Sequence, residues 1–171
     1  MQYNIHPIIV HFPIALLVLY SFIKIVPVRR WMPTMDWKSV ERVLLVFGIL
    51  GAFVASSTGE IAEHLVRPDR PIVEMHSLFA AISTWMYGLI LIGELLSILN
   101  KNLIPKLSIA PLTKLCIYLE RLLCKPLVQG LLALLGLIAI TVTGLLGGVM
   151  VYGLSADPIA PIVLKILGLS I

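Results

Sequence analysis

The chain has 171 residues, 59% of them apolar and 13% charged, with a formal net charge of +4 and a mean hydropathy of +1.02. Soluble domains carry about a quarter charged residues, so this composition excludes a water-soluble globular enzyme, and high hydrophobicity with low charge excludes disorder. At about 20 apolar residues per span there is room for four or five crossings, which marks an integral membrane protein.

The first apolar run covers residues 8–26, opened by His6-Pro7 and closed by Pro27. Pro7 and Pro13 fall where a first helical turn tolerates a missing N–H, so they mark a start and not a break. The next runs cover 43–62, 72–99 and 127–152. Each is long enough to cross a hydrocarbon core of about 30 Å as a helix, and without water to satisfy the backbone each must be helical. Short connections make consecutive helices antiparallel neighbours. The expected fold is all-α, a single transmembrane domain over 1–171 built as an up-and-down four-helix bundle.

Two segments stand outside that plan. Residues 111–125 place Leu112, Leu115, Cys116, Leu119, Leu122 and Leu123 at helical spacing opposite Lys114, Glu120 and Arg121, the pattern of an interfacial helix before the fourth span. The tail, 156–171, is apolar from Pro161 apart from Lys165 and too short to span. Lying on the membrane and docking on a neighbouring subunit both fit it.

In a membrane protein a basic excess reports orientation before nucleic-acid binding, and no nucleic-acid partner is expected. The first connection holds Lys24, Arg29, Arg30, Lys38 and Arg42 against Asp36 and Glu41, and the third holds Lys101, Lys106, Lys114, Arg121 and Lys125 against Glu120. The second is balanced, with Arg67 and Arg70 facing Glu63, Asp69 and Glu74. The positive-inside rule puts the first and third connections in the cytoplasm and both termini outside, periplasmic for a bacterial inner-membrane protein. Trp31 and Trp37 fit an aromatic belt at the cytoplasmic interface. No cleavable signal peptide is expected, because the first positive charge, Lys24, follows the apolar run. Cys116 and Cys124 have neither CxxC nor CxxCH spacing, which argues against a redox pair, a zinc knuckle and c-type haem.

All four histidines fall at one end: His6 and His11 at the start of the first span, His64 at the end of the second, His76 in the first turns of the third. Ionisable residues in spans are costly and usually face the interior or a functional site. His11 and His76 lie at matching depth on diagonal helices, as two axial ligands of a six-coordinate b-type haem must. Gly59, Gly144, Gly147 and Gly148 would allow close backbone approach of a porphyrin, and Phe12 and Tyr152 would line it. Arg67 and Arg70 are placed for its propionates. A competing constellation is Glu60, His64 and His76 as a zinc or copper site, with Glu60 alternatively supporting a ligating histidine. Boundary histidines also serve as interface residues, and glycines as helix-packing positions; His6, ahead of the span, fits that role best.

The stretch His6-Pro7-Ile8-Ile9-Val10-His11-Phe12-Pro13-Ile14-Ala15 resembles the opening of the membrane-protein family DUF2231. Thr58-Gly59 with Glu63, Glu74-Met75-His76-Ser77-Leu78, and Thr143-Gly144-Leu145-Leu146-Gly147-Gly148 running into Val151-Tyr152-Gly153 follow in order. The resemblance covers nearly the whole chain. It implies a four-helix, cytochrome-b-like membrane protein that binds haem, with His11 and His76 at the matching positions. Leu145 stands where many relatives carry histidine, and the long third connection and the tail also depart from the pattern.

These readings lead to a b-type cytochrome subunit with one haem b near the periplasmic side. It would transfer electrons between quinone or a membrane complex and a periplasmic partner such as a c-type cytochrome, without catalysis of its own. The alternatives are a zinc- or copper-binding membrane protein and a cofactor-free structural subunit of a complex.

Overall fold

The computed structural model describes residues 4–66, 69–102 and 110–169, and all regular structure among them is helical. Helix α1 (His6–Ile9) leads into α2 (His11–Ile25) through Val10, which keeps helical dihedrals and accepts a hydrogen bond from the Ile14 N–H. The two therefore act as one apolar span, His6–Ile25. Pro7 sits in its first turn, where no hydrogen bond is lost. The span thus begins two residues before the apolar run does, and it takes in His6.

Helix α3 (Trp37–Val66) begins well before its apolar run. Asp36 caps it, accepting from the Ser39 N–H at 3.2 Å and the Ser39 hydroxyl at 2.5 Å. The first turns, bearing Lys38, Glu41 and Arg42, therefore continue the span into the interface. Helix α4 (Arg70–Asn102) is followed by the amphipathic α5 (Ala110–Leu123) and the apolar α6 (Pro126–Tyr152). Gly153, at φ 74°, ends α6 in a left-handed conformation that a side chain would strain. The short α7 (Ala160–Ile166) completes the described chain.

Four of these helices are long and apolar enough to cross a membrane: His6–Ile25, Trp37–Leu65, Arg70–Lys101 and Pro126–Tyr152. The α4–α6 contact is the most extensive, followed by α2–α3 and α2–α6, and of the adjacent spans α3 and α4 touch least. This places α2 and α4 on the diagonal of the bundle. Lipid supplies no hydrophobic force between spans, so close packing of small residues carries the association. A Cβ on Gly48 would meet Leu17 Cδ2 at 2.5 Å, and one on Gly136 would meet the Tyr87 ring at 2.9 Å.

Helix α5 docks on α4. Leu123 packs over Gly93, Cys124 Sγ lies 3.3 Å from the Gly93 carbonyl, and Asn100 bonds Glu120. The tail docks on its own chain: Ala160 and Leu164 of α7 are buried with Ile72, Leu146 and Val149, covering the α4–α6 seam. At the opposite, basic end Glu41 is 5% exposed. Lys24 lies 2.8 Å and Arg29 2.5 Å from its carboxylate. Each buried charge is thus paired, as a low-dielectric setting demands. Glu94, towards the C-terminal end of α4, pairs with Arg42 at 3.5 Å.

Candidate functional site

The end of the bundle that carries the chain start holds two inward histidines. His76, on α4, directs Nδ1 at the backbone carbonyl of Thr143 on α6, 2.9 Å away. A carbonyl only accepts, so Nδ1 carries the proton and the lone pair of Nε2 stays unspent. Gly147, one turn along α6, makes the approach possible, since a Cβ there would lie 3.4 Å from His76 Cε1.

His6 is held in the same manner from the other side of the bundle. Its Nδ1 lies 3.1 Å from Thr58 Oγ1 on α3. The Thr58 hydroxyl already donates to the Ala55 carbonyl at 2.9 Å, so its oxygen accepts from His6 Nδ1–H. Again Nε2 is left with a free lone pair. The ring rests on Gly59, where a Cβ would stand 3.2 Å from Cε1.

His11 is placed differently. It is exposed, and its Nδ1 turns back to the Pro7 carbonyl of its own helix at 2.5 Å. Five residues along a helix rotate a side chain by about 140°, so His6 and His11 cannot both face inward. The structure turns His6, and not His11, against a neighbouring span. His6 was legible only as a boundary residue, because the apolar run that defined the span starts after it.

The other expected site residues are dispersed. Phe12 is exposed beside an apolar groove between α2 and α3, lined by Ile9, Phe47, Leu50, Gly51 and Val54. Gly59 and Gly147 lie against the two histidine rings, whereas nothing stands within 4 Å of a Cβ built on Gly144 or Gly148. Arg70 is exposed at the start of α4, Tyr152 is 74% exposed, and Arg67 lies outside the described residues. Leu145 packs beside the cluster that seats α7. Glu60 and His64 are exposed. Among the described residues no three His, Cys, Asp or Glu side chains converge, so Glu60, His64 and His76 do not form the alternative metal set. Glu60 at i and His64 at i+4 share one face of α3, but it points away from the bundle interior.

The sequence signal that does lead to the site is Thr58-Gly59. The threonine supplies the acceptor, and the glycine next to it supplies the room. Ser56 and Ser57, beside it, bond back to the carbonyls of Ala52 and Phe53, as mid-helix hydroxyls commonly do.

No curated protein and no solved structure matches this chain. Residues 2–157 match the family described as "Predicted membrane protein (DUF2231)", a stretch that takes in all four spans and both histidine supports. The chain belongs to the DUF2231 family of membrane proteins.

Proposed function

We propose that the protein is a b-type cytochrome subunit that holds one haem between His6 and His76. In this reading it passes electrons between quinone or a membrane complex and a redox protein outside, such as a c-type cytochrome. The observation that carries the reading is the matched pair of ring supports. Thr143 O and Thr58 Oγ1 each hold an Nδ1–H, leaving two Nε2 lone pairs at one end of the bundle. Ligating histidines typically spend their second ring nitrogen on such a partner, which sets the tautomer and ring orientation.

The residues present fit the group in their donor chemistry. Two neutral imidazoles on different helices are the ligand set of an electron-transfer haem, and Gly59 and Gly147 let both rings lie close to the neighbouring backbone. The α3–α4 edge, the least packed of the bundle, flanks the pair. When bound, haem would supply one-electron chemistry. The protein's own residues would hold and orient it: His6 and His76 as axial ligands, Thr58 and Thr143 as their anchors. The positive-inside rule puts this end on the outer face of the membrane, periplasmic in a bacterium.

The test is the dithionite-reduced minus oxidised absorbance spectrum of the purified protein, with a pyridine haemochrome assay. Sharp b-type bands in the wild type, lost in His6→Ala and His76→Ala but kept in His11→Ala, are expected. Loss in His11→Ala with retention in His6→Ala would move the second ligand to His11. A featureless spectrum from folded, haem-supplied protein would sink the cytochrome reading.

A further inference from the structure

Helix α5, at the basic end of the bundle, has three sides, and the chain covers one of them. That side docks on α4: Leu123 lies over Gly93, and Glu120, the one acidic residue of the helix, bonds Asn100. Seven residues along a helix make close to two turns of about 3.6 residues, so Lys114 and Arg121 share a second side, with Tyr118 between them. All three are exposed, and the exposed Lys125 follows at the turn into α6. Leu112, Leu115 and Leu122 occupy a third side, next to this row, and are exposed as well.

The depth of α5 follows from charge. Between His76 and Glu94, α4 carries no Asp, Glu, Lys, Arg or His, and α6 carries none from Pro126 to Tyr152. Charged side chains in hydrocarbon are costly, so Glu94, paired with Arg42, and Lys125, just ahead of α6, mark the edge of the hydrocarbon at this end. The contacts of α5 on α4, at Gly93 and Asn100, lie at and beyond that edge, which is headgroup depth.

The cations of α5 also differ from their neighbours. Lys24 and Arg29 share Glu41, and Arg42 has Glu94, whereas Lys114, Arg121 and Lys125 make no ion pair among the described residues, and Glu120 is turned to Asn100. A row of unpaired cations beside an apolar stripe matches a phospholipid, with its phosphate on the cations and its acyl chains along the leucines. The Tyr118 ring between them suits the interface, where aromatic side chains collect. A zwitterionic headgroup would bring its own ammonium to this row, so the charge favours an anionic one.

We infer that Lys114, Arg121 and Lys125 form a binding site for the headgroup of an anionic phospholipid, with Leu112, Leu115 and Leu122 against its acyl chains. The positive-inside rule puts the lipid in the cytoplasmic leaflet. The site shares no residue with the histidine pair at the other end of the bundle, and it stands whether or not the chain binds haem.

The experiment uses the whole chain, without added haem, in phosphatidylcholine nanodiscs. A trace of spin-labelled phosphatidylglycerol or spin-labelled phosphatidylcholine is added, and electron paramagnetic resonance reads the motionally restricted fraction of each. The wild type is expected to restrict phosphatidylglycerol in preference to phosphatidylcholine. The triple variant Lys114→Gln, Arg121→Gln, Lys125→Gln should restrict both alike, and each single neutralisation should lower the preference by up to roughly fivefold, the ratio equivalent to about 1 kcal/mol per cation. Arg30→Gln with Lys38→Gln, two exposed cations of the same end outside α5, should keep the wild-type preference. Melting temperatures in detergent check that the bundle is intact in every variant. Equal restriction of the two lipids by the wild type would overturn the site, as would a preference unchanged in the triple variant. Equal loss in the Arg30 and Lys38 variant would assign the preference to the diffuse charge of that end and overturn it too. A wild type that is dimeric in the nanodiscs and monomeric as Leu115→Lys would give the leucine stripe to a second copy, again overturning the lipid assignment.

Discussion

His76 Nδ1 lies 2.9 Å from the Thr143 carbonyl, and this one contact ties the third span to the fourth at the level of the candidate site. Because the acceptor is backbone, no substitution at Thr143 removes it directly. The ring orientation is instead adjustable through Gly147, against which His76 Cε1 rests. Gly147→Val is expected to push the imidazole off its carbonyl and weaken haem retention. The absorbance of the purified protein after dialysis against a haem-scavenging globin measures it.

On the opposite side the support is a side chain and can be removed. Thr58→Val keeps the shape but leaves His6 Nδ1 without its acceptor. Loss of such a partner typically costs about 10–100-fold in affinity for the bound metal centre, so haem titration of Thr58→Val should show a drop of that order. Ser57→Ala, next to it, should leave the titration unchanged, since Ser57 bonds only to its own helix.

Glycines in the spans divide into two kinds. A Cβ on Gly136 would stand 2.9 Å from Tyr87, a buried and rigid ring, whereas nothing lies within 4 Å of one on Gly130. Gly136→Ala should therefore destabilise the bundle by about 1–3 kcal/mol, the usual cost of overpacking. Gly130→Ala should be neutral or stabilising by up to about 1 kcal/mol through helix propensity. Reversible unfolding in mixed micelles would separate them.

The buried carboxylate of Glu41 holds two cations from the first span and its connection. Glu41→Ala leaves Lys24 facing Gln129 and Tyr20 with no counter-charge. Breaking a buried pair from one side costs about 3–5 kcal/mol, and the loss should be largely recovered when Lys24→Met is added. A double-mutant cycle of unfolding free energies reads the coupling.

Asp36 carries a pH dependence. Its hydrogen bonds from the Ser39 hydroxyl and backbone hold its carboxyl below the usual value of 3.8. A depressed folded pKa means that the cap stabilises α3 above that usual value and loses its contribution as pH falls through the lower folded value. Asp36→Asn should abolish this acid-side change in amide exchange at the start of α3 and leave exchange near neutral pH little altered, because asparagine also caps.

Composition and run length determined much by themselves. Four candidate spans and an all-helical fold follow from hydrocarbon thickness and the need to satisfy every backbone group within the membrane, and the apolar spacing before the last span gives the amphipathic α5. The collection of histidines at one end followed too, because chain position maps directly onto depth in an antiparallel bundle.

Rotation about each helix axis was left to the tertiary structure. In a soluble helix the polar face shows which side is out, but here lipid and core are both apolar, so the pattern along α2 does not separate them. Chain position favoured His11 over His6, and only the packing of α1 on α3, with Thr58 and Gly59 opposite, turned His6 inward and His11 out. The same limit hid the pairing of Tyr87 with Ser21, which arrives beside it from another span. It also hid the tail's partner, since α7 settles on α4 and α6 through Ala160 and Leu164, small and apolar residues that carry no directional signal before the seam exists.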